Sequence, residues 1–400
     1  MSRRKPAALA ALALALLACG TGQTGGQRSP VPSQAAANDT RAADLRARLD
    51  LLLGEHLLLS ARATGAALGG RADEFAAYAT QLNRSAADLG DLVGGALGVE
   101  VESGFSQAWS AHDTHVVEYA TGAATHDQDR RAAAVSGLTT EYVPQVADVL
   151  AGATGMPKAS VDDLAAAQVR WDRQVVDDQA ARDWPATFAD LRKAGAQARA
   201  MGDALAAAMA RRQAARFPGD LARRGVDLRV TLDGLLQEHA YLATAATAAA
   251  IGGRTDEFQA AARALGDNGA ELGGAASGPS GAGAQERFDQ AWGSLDDQLV
   301  DYAVAGAKKD AGAQQGAVSG LTGTVVPQLA ELLAGSSGLP RSTLAGLLRD
   351  HVLAVRDVVD AQVTGDPQAA ALGDRTAAQQ TQAIAGPLAA AMAAKLPDRS

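Results

Sequence analysis

The chain has one cysteine in 400 residues, at position 19. With no second thiol it can close no internal disulfide, and a zinc site built on thiolates is out of reach. Aromatic residues are scarce, at 4%, so few large side chains are available to fill a core. Runs in which β-branched or aromatic residues alternate with polar ones are nearly absent, which argues against a sheet. A basic stripe is also missing. The formal net charge is −9, and Arg3, Arg4 and Lys5 fall in an N-terminal stretch without acids, so the remainder is more acidic still. Such a body is a poor match for nucleic acid or an anionic lipid surface.

Signatures of catalysis are lacking as well. Ser136 and Ser319 sit in Val-Ser-Gly triplets without the Gly-x-Ser-x-Gly elbow. No Gly-x-x-x-x-Gly-Lys-Ser/Thr run is present to cradle a phosphate, and no cysteine nucleophile lies beyond position 19. These absences lead to the expectation of a protein that is not an enzyme and carries no cofactor.

Alanine is abundant within the 47% apolar fraction. It is the strongest helix former and fills little volume, so helices meeting at alanine approach closely. The clearest feature of the chain is a tandem duplication at an offset of 183 residues. Leu52-Leu53-Gly54-Glu55-His56 returns as Leu235-Leu236-Gln237-Glu238-His239, and Gly70-Arg71-Ala72-Asp73-Glu74-Phe75 returns as Gly253-Arg254-Thr255-Asp256-Glu257-Phe258. The same offset carries Trp109 to Trp292, Tyr119 to Tyr302, Pro144 to Pro327 and Pro157 to Pro340 without a gap. Hydrophobic stripes at helical spacing predict an all-α fold with two homologous six-helix bundle domains, 41–217 and 221–396, meeting at a Pro218-Gly219 joint. Pro144 is expected to kink or break the fourth helix. Gly-rich stretches at 94–104 and 273–284 read as loops.

Ahead of the first copy, residues 1–18 combine basic residues with an apolar run from Pro6 to Ala18. That run is shorter than the roughly 18–20 residues a membrane span needs, and it reads as a signal peptide. It ends in Leu16-Leu17-Ala18-Cys19-Gly20, which resembles the lipobox of bacterial lipoproteins. The resemblance implies lipidation of Cys19 and anchorage to the extracytoplasmic face of a bacterial cell membrane. Residues 19–40 then form a polar tether.

Histidines are the candidates for chemistry. His56, His112 and Gln168 are spaced by 56 residues, and the matching positions of the second copy are His239, Leu295 and His351. All lie on apolar helix stripes. A buried imidazole must be hydrogen-bonded or hold something, so an ion of copper, zinc or iron held by His56, His112, His115, Glu118, His239 and His351 is one reading. The other is a satisfied core histidine, favoured because leucine and glutamine share the slots. Glu55 and Glu238 point about 100° away from the neighbouring histidines, and they read as flanking residues that either cap or pair with an arginine. Trp109, Trp292, Tyr119 and Tyr302 read as core aromatics.

The Glu55-His56 and Glu238-His239 helices, the helix with Trp109, His112 and Tyr119, the turn from Leu150 to Pro157 and the His351-Val352 helix are together similar to an uncharacterised family of exported bacterial lipoproteins with tandem helical repeats. Leu295 and Gln168 depart from its histidine pattern. The resemblance implies the architecture and no activity. The functional expectation is a membrane-anchored envelope protein that binds an envelope protein or a small ligand; its alternative is the metal-binding bundle.

Overall fold

The computed structural model describes residues 39–277 and 282–395, and among them every regular element is helical. Cys19, the leader and nearly all of the tether lie outside the described residues. In the first copy α1 is Arg41–Leu68, α2 Ala72–Leu97, α3 Val99–Ala124, α4 Gln128–Gly137, α5 Val143–Thr154, α6 Lys158–Ala181 and α7 Trp184–Arg212. In the second, α8 is Arg224–Ile251, α9 Thr255–Ser277, α10 Ala282–Ala307, α11 Ala311–Gly320, α12 Val326–Ser337, α13 Arg341–Thr364, α14 Pro367–Gln380 and α15 Gln382–Ala393.

Local chemistry sets the ends of these helices. Thr40, Asp127, Asp183, Asp310 and Asp366 each accept a hydrogen bond from a backbone N–H three residues on, capping α1, α4, α7, α11 and α14. The Gly-rich stretch 94–104 is not a loop. α2 runs through it to Leu97, and Gly98, at φ 110°, turns the chain directly into α3. Glycine is needed here for close approach as well: a Cβ on Gly94 would stand 1.9 Å from Glu102 Oε2 on α3. Tertiary packing thus overrides the weak helix propensity of glycine.

Helical structure continues through Pro144 and Pro327. Each is preceded by one π-helical turn, Leu138–Tyr142 and Leu321–Val325, in which Val143 N–H donates to Leu138 O and Val326 N–H to Leu321 O. The widened turn absorbs the donor that proline lacks. With α4 and α5 joined in this way, and α11 and α12 likewise, the described residues repeat the same order of helices in both copies. The last helix differs. α7 is continuous, whereas its counterpart breaks at Thr381 between α14 and α15, six residues ahead of Pro387.

The copies pack about an approximate twofold relation. α1 lies along its own counterpart α8, α7 packs on α9, and α14 packs on α2, the arrangement of an isologous dimer made within one chain. One apolar cluster joins Leu58, Tyr78 and Phe188 of the first copy to Leu236, Trp292 and Leu348 of the second. Another, around Trp109, Tyr142 and Leu205, belongs to the first copy. The described residues fall in one compact unit, Ser33–Ser400.

Candidate functional site

In the first copy the histidine slots converge. α1 supplies His56, α3 supplies Trp109, His112 and Asp113, the π-helical turn supplies Tyr142, and α6 supplies Gln168 and Asp172. Trp109 Nε1 donates to His56 Nδ1 at 3.3 Å. An indole N–H can only donate, so His56 keeps its lone pair at Nδ1 and its proton at Nε2. That Nε2 lies 2.9 Å from Asp113 Oδ1, an ion-pair distance without the alignment of a hydrogen bond. His112 is gripped on both sides, Nδ1 at 3.0 Å from Asp113 Oδ1 and Nε2 at 2.8 Å from Asp172 Oδ2. Burial pulls the His112 pKa down, but the two carboxylate contacts outweigh it and raise the group to about 9. Asp113 is held near 2: burial pushes it up, and His56 and His112 together pull it further down. His112 is therefore an imidazolium between carboxylates. Tyr142 closes the centre, its ring 4.7 Å from that of His112 and its hydroxyl donating to Gln168 Oε1 at 2.8 Å.

The second copy keeps the frame and changes the charges. Leu295, Val325 and Val355 replace His112, Tyr142 and Asp172, and His351 replaces Gln168. Trp292 donates to His239 Nδ1 at 3.1 Å, as its counterpart does. The His351 ring lies 5.6 Å from that of His239. His239 Nε2 stands 3.7 Å from Asp296 Oδ1, and neither atom has a hydrogen-bond partner; nor has either ring nitrogen of His351. Burial drives His351 down to about 4, and burial with His351 alongside drives His239 well below its usual value. Burial, then Asp297, pushes Asp296 well up. Burial thus disfavours charge on each of these three groups.

The six candidate ligands do not form one set. His56 and His112 come together with Asp113, their donor atoms within 4.8 Å of one another. His115 instead faces the rim, 3.5 Å from Glu141 Oε2, and Glu118 pairs with Arg130. A three-residue helical step falls about 60° short of a full turn, enough to part His112 from His115. Sequence reasoning missed Asp113, Asp172 and Tyr142. Asp172 was within reach, since it lies one turn beyond Gln168 on the same face of α6.

The glutamates beside the histidines turn outward to the other copy. Glu55 of α1, 1% exposed, accepts from Arg375 at 2.8 Å and from Gln379 at 3.1 Å, both on α14. Glu238 of α8 accepts from Arg192 of α7 at 2.9 Å. Arg192 and Arg375 are themselves equivalent across the duplication, so each copy clasps the other's glutamate. Of the two roles expected, capping and pairing with arginine, the second is found, and the partner lies in the opposite copy.

Two crevices flank this interface, also as counterparts. Gly65, Arg71, Gln179, Trp184 and Thr187 line one, and Ala248, Arg254, Gln362, Pro367 and Ala370, the matching positions, line the other. Their frames agree closely: Thr64 donates to Gln179 Oε1 and Thr247 to Gln362 Oε1, both at 2.8 Å. Their volumes do not. Trp184 and Phe188 reduce the first crevice to about 50 Å³. The second, with Pro367 and Ala371 at those positions, opens to about 580 Å³. Beside the open crevice, Arg62 donates to Tyr78 Oη at 2.6 Å, and Tyr78 donates to Asp374. Their counterparts Ala245, Ala261 and Leu191 are apolar.

No family model, no curated protein and no solved structure matches the chain.

Proposed function

We propose that this protein is a non-enzymatic binding module, held at the extracytoplasmic face of a bacterial membrane by lipid on Cys19, and that its ligand site is the open crevice between the copies. The copies, 41–217 and 221–396, are read as six-helix units that act as a pair. The observation that carries the reading is the divergence of the two crevices. A site that serves packing alone stays filled, as it does over Trp184 and Phe188. Its counterpart has lost both rings and stands beside a buried Arg–Tyr–Asp chain, the mixture of apolar wall and few polar groups typical of small-ligand sites. Buried polar groups of that kind are costly unless they are used.

Native mass spectrometry of the protein released from membranes in mild detergent tests this reading. A co-purifying small-molecule adduct is expected, lost in Pro367→Trp. Bare protein in both forms, with no thermal shift from small organic anions, cations or neutral molecules, would contradict it. Cys19→Ala is expected to move the protein from the membrane fraction to the soluble one; equal fractionation of the two forms would remove the anchor from the account.

A metal-binding reading is supported by the gathered donors of His56, His112 and Asp113. Against it, Trp109 occupies the one lone pair of His56, and both nitrogens of His112 are engaged by carboxylates. Elemental analysis after mild chelation separates the readings: the binding module retains no stoichiometric copper, zinc or iron.

A further inference from the structure

The sister crevice supplies a template for what the open one accepts. At matching positions an indole and a phenyl ring, from Trp184 and Phe188, take up the space on one side. Pro367 leaves it open on the other, where Ala248, Ile251 and Ala361 provide apolar wall, while Ala371, at the position of Phe188, is buried in the core. The indole of Trp184 has no counterpart in the open crevice, and apolar wall surrounds the place it would take.

Charge at the opening is not symmetric either. Arg71 and Arg254 belong to the repeated Gly-Arg-x-Asp-Glu-Phe stretch, and each turns its Nε onto its own Glu74 or Glu257, at 2.6 and 2.8 Å. Arg62, Arg71 and Glu74 reach both crevices, whereas Arg254 lines the open one; the position equivalent to Arg62 is Ala245, and Arg62 Nε is buried without a hydrogen-bond partner. Three guanidiniums, Arg62, Arg71 and Arg254, bear on Glu74 and, against the opposing effect of burial, hold it below the usual carboxylate range. Arg62 also stands 3.6 Å from Asp374, whose carboxyl burial pushes up, so Arg62 is shared between Glu74 and Asp374. Asp73 and Asp366 also line the crevice, but Asp366 is committed to capping α14.

We propose that the open crevice binds a small aromatic carboxylate, its ring in the volume that Trp184 fills in the sister crevice and its carboxylate against Arg62, Arg71 and Arg254. This rests on the binding-module reading above and gives it a ligand class. Guanidiniums suit a carboxylate because their planar fork of donors matches its two oxygens, and a drug-sized ring buried against alanine and isoleucine gains from apolar burial.

The experiment is calorimetric titration of the full chain with three probes of one shape: indole-3-propionate, its amide, and tryptamine. The expected result is one site for indole-3-propionate, with the amide and the amine at least tenfold weaker. Arg62→Met is expected to erase that preference. Pro367→Trp restores the first copy's residue at a helix start already capped by aspartate, and is expected to abolish binding without lowering the melting temperature. Ile251→Trp, at a half-buried position that lines the crevice, is a second filling variant should the first fail to fold. If the amide or the amine binds as well as the acid, and filling blocks it, the carboxylate assignment is overturned while the crevice stands as a site. If no probe binds, or if binding ignores both filling variants, the crevice is not the site and both readings fall.

Discussion

The two histidine centres share a frame and differ in charge, and the difference shows what that frame tolerates. Both hold a tryptophan N–H on the Nδ1 of the α1 or α8 histidine. In the first copy His112, Asp113 and Asp172 form a linked charged group. In the second, Leu295 and Val355 stand in place of the imidazolium and one carboxylate together, and burial pushes the remaining groups toward their neutral forms. Removing both partners is tolerated where removing one is not, because a lone buried charge carries its whole desolvation cost. The slot changes, His to Leu and Gln to His, go together with the change from Asp172 to Val355. A metal site would lose its function under such exchange; a packed polar network survives if its members change together.

The largest expected effect separates those changes. His112→Leu leaves Asp113 and Asp172 without their imidazolium and should destabilise the fold by about 3–5 kcal/mol in denaturant melts. Adding Asp172→Val, to copy the second centre, should recover part of the loss, giving a non-additive double-mutant cycle. Additive costs would mean that the two residues act separately.

A smaller effect compares the two clasps. Arg375→Ala removes the cation from Glu55, which is almost fully buried and keeps only Gln379, and should cost about 2–3 kcal/mol. Arg192→Ala acts on the more exposed Glu238, which keeps Asn268 at 2.8 Å, and should cost about 1 kcal/mol or less. Equal losses would show that burial does not set the strength of the clasps.

How much of this was legible in the sequence follows from the range of the interactions. The duplication, the helical stripes and the inward histidines depend on spacing along the chain, and they could be read. Glycine misled at 94–104, because the close approach of α2 and α3, which fixes the helix there, cannot be seen locally. The π-helical turns were hidden for a similar reason: proline announces a disturbance, but packing decides whether the helix bends, stops or widens. Asp113 was passed over as a neighbour of His112, although its side chain links His112 to His56. The clasps join residues 320 and 46 apart, so sequence reasoning could offer pairing with arginine as one of two roles without saying which arginine. The unequal crevices emerge only when Trp184 and Pro367 are seen in equivalent places.

The centres should also respond oppositely to pH. For His112, a folded pKa of about 9 above an unfolded value of about 6.5 adds stability that is complete below pH 6.5 and disappears as pH rises through 9. For His351, a folded pKa of about 4 makes the unfolded chain the better proton binder, so stability falls as pH drops from 6.5 towards 4. Nitrogen-15 histidine spectra of the full chain, recorded from pH 4 to 10 with and without one equivalent of zinc, test the central contrast most directly. The account predicts His112 titrating near 9, His351 neutral until about 4, and no change in either with zinc. Both histidines titrating near 6.5, or zinc shifting His56 and His112 together, would contradict it.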